Sequence, residues 1–413
     1  MRHALLLAYY YPPMPTVAAF RMKNIREALE ARGYVVHVIS SDLLHHFGPV
    51  EDPQLHTVSI LDYRSLKLKF QKGKLHYSGK SSMHAAKFQV GKWLRALPMA
   101  YLIGEGGGVY YQAALMQARK LCEQYPINLV ISSFAPLTDH LIAGKLKQKY
   151  PAMKWVADFR DLPIDRFKNN IVWPDWHQSR FRKIFEQADQ LWAVSEGQKA
   201  LLHQMLGKEV KKVPNGLDPS YKIPQKVSGE PQFTLTYTGS LYPYYPSELW
   251  KRTLRAFAEK IGSAAEQMLL RYAGKDGIVF RQWAEEAEWP GQFQDLGERS
   301  RRDCWSLQQT STVNLLFSWN QEGSRGILTG KLYEYLGARK PILVLSNGDC
   351  DGELRKLIVS KHGSQSLCTD DLKNAGIFLE TAYNRYSSGD ELLVGDFDKL
   401  QKLFFQLPES AQT

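Results

Sequence analysis

Residues 322–345, EGSRGILTGKLYEYLGARKPILVL, hold three charged side chains whose spacing could serve chemistry: Arg325, Lys331 and Glu334. Arg325 lies in a loop with Gly323, Gly326 and Gly330, and Lys331 and Glu334 follow on the first turns of a helix. The first amides of a helix have no intrahelical partner and carry partial positive charge, so a loop with small residues and a cation at such a place can seat an anionic phosphate. Lys331 and Glu334, three apart, share one helix face. The same segment also reads as an ordinary loop, helix and strand with a solvated Lys and Glu. A second group is Asp158, Arg160 and Asp161 in WVADFRDLP, residues 155–163. Three charges after a buried strand must pair or face a crevice. Two readings follow, an acceptor- or phosphate-binding cluster, or an Asp–Arg pair that fixes a turn.

The elements around these residues follow from hydrophobic period and breakers. Thr329 suits the N-cap of the helix, Gly337 and Pro341 stop it, and residues 342–345 form a buried strand. At the other end of the chain, residues 4–9 read as a buried strand closed by Pro12-Pro13, residues 20–31 as a helix, and residues 35–39 as a second strand. Strand, helix, strand implies a parallel sheet, whose ligands bind at the carboxyl ends of the strands. That places residues 10–17, with Thr16 and Val17, at a ligand crevice. Strands at 129–133, 155–158 and 191–194 and helices at 139–150 and 180–188 continue the alternation. Residues 217–232, with Pro219, Pro224, Gly229 and Pro231, have linker composition. The pattern then restarts: strand 234–237, turn Thr238-Gly239-Ser240, helix 249–261, strand 269–273 followed by Gly274-Lys275-Asp276, a Trp-containing helix to 288, and strand 313–317. Residues 378–385 and 397–406 read as terminal helices.

The expected architecture is therefore α/β, with two Rossmann-like lobes whose parallel sheets face a central cleft. The first lobe spans 1–218, with a basic insertion at about 64–112. The second spans 233–385, and a helical tail covers 386–413.

At 413 residues the chain exceeds one hydrophobic core, and 44% hydrophobic residues is ordinary for a globular protein. A net charge of +11 and a pI near 9.2 favour an anionic partner. Cys122, Cys304, Cys350 and Cys368 contain no C-x-x-C pair, which argues against a zinc site or a disulfide framework and fits a reducing compartment. No apolar run approaches the ~18 residues of a spanning helix. Residues 64–112 interleave Arg64, Lys67, Lys69, Lys72, Lys74, Lys80, Lys87, Lys92 and Arg95 with Phe70, Tyr77, Phe88 and Trp93. This composition suits an anionic membrane surface, and equally a long helical insertion with a solvated basic face. Residues 104–108, GEGGG, follow no strand and are not a dinucleotide fingerprint but a flexible loop. Asp349-Cys350-Asp351 imitates a metal-binding D-x-D but sits between Gly348 and Gly352 and reads as a turn. No Walker loop, G-x-S-x-G or nucleic-acid module is present, so no nucleic-acid partner is expected.

The order YYPPMPTVAAFR (10–21), WVADFRDLP (155–163), AVSEGQKALL (193–202), VPNGLD (213–218), YTGSLY (237–242) and GKLYEYLGARKPIL (330–343) resembles the family-four retaining glycosyltransferases of the GT-B fold. The closest likeness is to the bacterial branch that builds surface polysaccharides and lipid-linked sugars, and it runs from residue 4 to about 360. The resemblance implies a nucleotide sugar on the second lobe, with Glu334 accepting hydrogen bonds from the ribose hydroxyls. It implies donor contacts at Gly239, Ser240, Lys275, Gly326, Thr329 and Gly330, and acceptor contacts at Thr16, Val17 and Asp161.

The sequence departs from the family pattern at four places. Gly326 replaces the first glutamate of the paired signature, leaving Glu322 as the substitute. Ser240 and Tyr244-Tyr245-Pro246 stand where the family has an Arg and a Lys against the leaving diphosphate, so Arg325 and Lys331 are expected in that role. Arg160 occupies the place of a reacting-site His, and Pro15-Thr16-Val17 replaces a glycine pair.

The expected protein is a cytoplasmic, membrane-peripheral enzyme. It moves a sugar, with retention, from a nucleotide-diphosphate sugar to a glycan or lipid-linked acceptor in cell-surface polysaccharide synthesis. The nucleotide sugar is a co-substrate, and neither metal nor other cofactor is expected. The alternative is a non-catalytic two-lobed protein that binds sugar or nucleotide.

Overall fold

The computed structural model describes residues 1–62, 93, 99–102, 104–166, 169–226, 230–320, 326, 328–390 and 392–408. The chain divides into two compact units, Met1–Pro214 together with the residues from Gln406, and Asn215–Phe405. The return of the C-terminus to the first unit is fixed by Arg32, whose guanidinium donates to the carbonyls of Leu407 at 2.6 Å and Pro408 at 3.1 Å. Among the described residues of the expected helical tail, only Phe397–Gln401 is helical beyond Ser387, and Gly389 takes a left-handed turn (φ 74°) just past the preceding helix Leu372–Ser387.

The first unit holds a parallel sheet of β1 (Arg2–Leu7), β2 (Tyr34–Ser41), β3 (Leu55–Val58), β4 (Ile127–Phe134), β5 (Lys154–Phe159), β6 (Gln190–Ala193) and β7 (Val210–Lys212), in the order β3-β2-β1-β4-β5-β6-β7. The centre is apolar on both faces, as a sheet covered by helices requires: Ala4, Leu5, Leu6 and Leu7 have 0% exposure. The helix Val17–Glu30 connects β1 to β2, and its N-cap Thr16 accepts the Ala19 amide at 3.1 Å. Strand order reverses between β1 and β4, so the loops that leave these two strands flank the crevice of this sheet.

The second unit repeats the plan with β8 (Thr234–Thr238), β9 (Leu269–Ala273), β10 (Gln292–Asp295), β11 (Val313–Trp319), β12 (Ile342–Asn347) and β13 (Leu367–Thr369), in the order β10-β9-β8-β11-β12-β13. Here the reversal lies between β8 and β11. The helix Gly330–Gly337 joins β11 to β12 and buries Leu332, Tyr333, Tyr335 and Leu336.

Two further features differ from expectation, among several elements that the sequence reading leaves out. The helix Arg301–Thr310 is absent from the sequence reading, although its capping signal S-x-x-D is present: Ser300 Oγ accepts the Asp303 amide at 3.1 Å. Cys350 and Cys368, expected free, form a disulfide with Cα atoms 6.0 Å apart. Their sequence separation hides that β12 and β13 lie side by side, with Val344 opposite Cys368.

Candidate functional site

In the second unit the glycine turn after β8 and the start of helix Gly330–Gly337 meet at the point where strand order reverses. Gly239 takes φ 116°, and a Cβ at this position would collide with Cε and Nζ of Lys331. The absence of a side chain lets the lysine lie across the turn. Its ammonium donates to Tyr237 Oη at 2.8 Å and to the Ser240 carbonyl at 3.4 Å, and Tyr237 Oη donates to the same carbonyl at 2.8 Å. Burial lowers the Lys331 pKa to about 8, opposed by the negative charges of Glu334 and Asp276. Among the described residues this half-buried ammonium meets dipoles and no carboxylate at salt-bridge distance, which leaves it suited to an anion.

Glu334 lies one turn further along. One carboxylate oxygen pairs with Arg301 and the other accepts Gln308 Nε2 at 3.2 Å; the same Gln308 amide nitrogen also donates to Thr238 Oγ1 at 2.9 Å. Both partners come from the helix Arg301–Thr310. A carboxylate has about four lone-pair directions, so capacity remains for a vicinal diol. The Glu334 and Arg301 side chains retain 12% and 33% exposure. Asp276, read from the sequence only as part of the turn Gly274-Lys275-Asp276, accepts the Leu241 amide at 2.8 Å and so fixes the chain beyond the glycine turn.

The other expected donor residues are placed as follows. Gly330 opens the helix, and Thr329 occupies the N-cap position in an extended conformation. Thr329 Oγ1 makes no cap bond and is buried without a partner among the described residues. The Gly326 amide is committed to Asp351 Oδ2 at 3.0 Å, which makes Gly326 a support of the next helix rather than a phosphate ligand. Asp351 also caps that helix through the Glu353 and Leu354 amides at 2.9 and 3.1 Å, the physical meaning of the D-x-D lookalike. Lys275 is exposed on the turn after β9. Arg325 and Glu322 lie outside the described residues.

In the first unit Asp158 needs a correction. It is not open to a reacting group. Its carboxylate is gripped by Arg21, with Nη2 to Oδ1 at 2.6 Å and Nε to Oδ2 at 2.9 Å, at 1% and 0% side-chain exposure. Arg160, two residues on, does not pair with it. Arg160 donates to the Ala135 carbonyl at 2.9 Å and to Ser133 Oγ at 3.3 Å, and stands 3.9 Å from the largely exposed Asp161. Thr16 spends its hydroxyl on the helix cap, and Val17 beside it is 52% exposed. The GEGGG loop, expected to be flexible, is pinned at Gly106, whose amide donates to Asp62 at 3.1 Å and whose carbonyl accepts Thr138 Oγ1. Among the described residues no three His, Cys, Asp or Glu side chains are grouped to hold a metal ion.

No protein-family model matches the sequence, and no curated protein matches it. Solved structures do. The N-terminal domain of Candida albicans trehalose-6-phosphate phosphatase superposes with a TM-score of 0.61 at 11% identity, over 98% of this chain and 94% of that one. WaaG, a glycosyltransferase involved in lipopolysaccharide biosynthesis, gives 0.55 at 16% identity, over 93% and 91%. The pneumococcal O-GlcNAc transferase GtfA, solved with UDP and GlcNAc, gives 0.57 at 9%, over 98% and 96%. The fold is GT-B. At these identities the likeness speaks for the GT-B fold and not for the reaction. The site stands on its own residues: the glycine turn, Lys331 and Glu334 occupy the strand-order reversal of the second GT-B sheet, where open α/β sheets take their ligands.

Proposed function

We propose that this protein is a retaining glycosyltransferase. It transfers a sugar from a nucleotide-diphosphate sugar to a glycan or lipid-linked acceptor in cell-surface polysaccharide synthesis, and it works peripherally at an anionic membrane surface on the cytoplasmic side. The observation that carries the reading is the position of Lys331, whose ammonium lies over the Gly239–Ser240 turn. The resembled family supplies cations to that turn from the following loop, which here reads Ser240-Leu241-Tyr242-Pro243-Tyr244-Tyr245. The helix delivers the positive charge instead. A departing diphosphate gains charge in the transition state, and a preplaced ammonium beside a helix N-terminus stabilises it there more than in the ground state. Glu334, on the same helix, takes the ribose hydroxyls. The likeness to a transferase solved with UDP supports a nucleotide donor, and the net charge of +11 supports the anionic surface.

The non-catalytic reading has one observation in its favour: Glu334 is already held by Arg301 and Gln308. Two measurements decide. A thermal-shift panel of uridine, guanosine, cytidine and thymidine diphosphates should give one clear stabiliser, because a ligand of the folded state raises its melting temperature. Radiolabelled sugar of the matching nucleotide should then be hydrolysed or transferred. Donor returned intact would leave a binding protein.

A further inference from the structure

The helix Pro174–Phe185 of the first unit has two unlike faces. His177, Phe181 and Phe185 are buried, at i, i+4 and i+8, and the Phe185 ring meets Phe159 of β5 at 5.0 Å. The solvent side carries Trp176, Arg180 and Lys183, at i, i+4 and i+7. Trp173 precedes them at the N-cap. Trp173 and Trp176 are 57% and 51% exposed, and the Arg180 guanidinium lies over the Trp176 ring at 5.7 Å. A third indole joins the group: Trp93, 48% exposed, meets Trp173 edge to face at 5.2 Å. Trp173 also holds φ 50°, a left-handed conformation that a bulky residue adopts only at a cost, and such strain is retained where a residue has a task.

We propose that Trp173, Trp176, Arg180 and Lys183 form the face by which the protein docks on an anionic lipid bilayer. The proposal rests on the membrane-peripheral part of the function proposed above and names the surface that performs it. Indoles beside cationic side chains on one exposed helix face match the interface of a bilayer, where apolar ring bodies enter the acyl boundary and cations meet the headgroups. A small glycan would need a concave site with several fixed polar groups, which an open helix face does not offer. The helix follows β5 in a parallel sheet, so its N-terminal end, with both tryptophans, stands at the carboxyl edge that also bears Arg160. Docking there brings that edge to the lipid.

The test is co-sedimentation of the full chain with phosphatidylcholine vesicles with and without phosphatidylglycerol. Wild type should bind the anionic vesicles. The double variant Trp173→Asn/Trp176→Ser should bind them about tenfold less, from the apolar area lost. Its melting temperature should hold, because Asn tolerates the left-handed backbone that Trp strains. Its heparin binding should also hold, since a soluble polyanion offers the indoles nothing to enter. Undiminished vesicle binding by the variant would overturn this face alone. A wild type that ignores anionic vesicles would overturn the membrane reading with it, and equal loss of vesicle and heparin binding would show a plain polyanion site. The diphosphate thermal shift, unchanged in the variant, reports on the donor site separately.

Discussion

In the first unit Asp158 meets Arg21 with no more than 1% of either side chain exposed; in the second, Glu334 meets Arg301 with 12% and 33% left to solvent. Both are carboxylate–guanidinium pairs near the carboxyl edge of a parallel sheet. The first is closed: two nitrogens of Arg21 reach both oxygens of Asp158, and Ser133 Oγ adds a further bond at 3.3 Å. A charge satisfied this fully has nothing left to offer a ligand, and its removal leaves its partner buried and uncompensated. The second pair is half open, and its neighbour Lys331 holds an ammonium against neutral dipoles. Charge near the carboxyl edge of a sheet is closed off in one unit and left half open in the other. Completeness of pairing makes the difference.

The largest effect expected is on stability. Asp158→Ala should cost about 3–5 kcal/mol of unfolding free energy, read by urea denaturation, because Arg21 keeps its charge without a partner. Normal stability combined with lost donor turnover would return Asp158 to the chemistry and erase the contrast.

Glu334→Ala should act mainly on binding. Losing hydrogen bonds to a charged group costs ~1.5–3 kcal/mol, so calorimetry should show affinity for the preferred nucleoside diphosphate falling about tenfold or more. Its urea midpoint should move less than that of Asp158→Ala.

Lys331 should reveal itself through pH. Burial holds its pKa at about 8, below the usual lysine value, and a bound diphosphate favours the protonated form. Diphosphate affinity should therefore be full below pH 8 and decline as pH rises through it. In the unliganded protein the sign is opposite. The unfolded chain keeps this proton to higher pH than the folded one, so this group adds stability as pH rises above 8. Lys331→Met should abolish the pH dependence of diphosphate binding and leave that of the bare nucleoside unchanged.

Arg160→Ala should have the smallest effect on stability, about 0.5–1.5 kcal/mol for the hydrogen bonds to Ala135 and Ser133. Turnover should nevertheless fall strongly. Lost stability with normal specific activity would assign Arg160 to the turn.

The alternation of apolar strands and capped helices was readable along the chain because each element's signal is local. Period, cap and breaker for β1, β5, β8, β12 and the helix Gly330–Gly337 all sit within a few residues of one another. Lys331 and Glu334 were found on the same local ground, as neighbours on one helix face. Their partners were not. Arg301 and Gln308 stand 33 and 26 residues from Glu334, on a helix whose capping signal was present but unread, and Arg21 stands 137 residues from Asp158. Sequence proximity suggested Asp158 with Arg160, whereas Arg21 occupies both oxygens of Asp158 and Arg160 turns to the Ala135 carbonyl and Ser133 Oγ. Which charges close on each other and which stay open depends on parallel strands distant in sequence being laid side by side. That pairing is made only when the sheet forms.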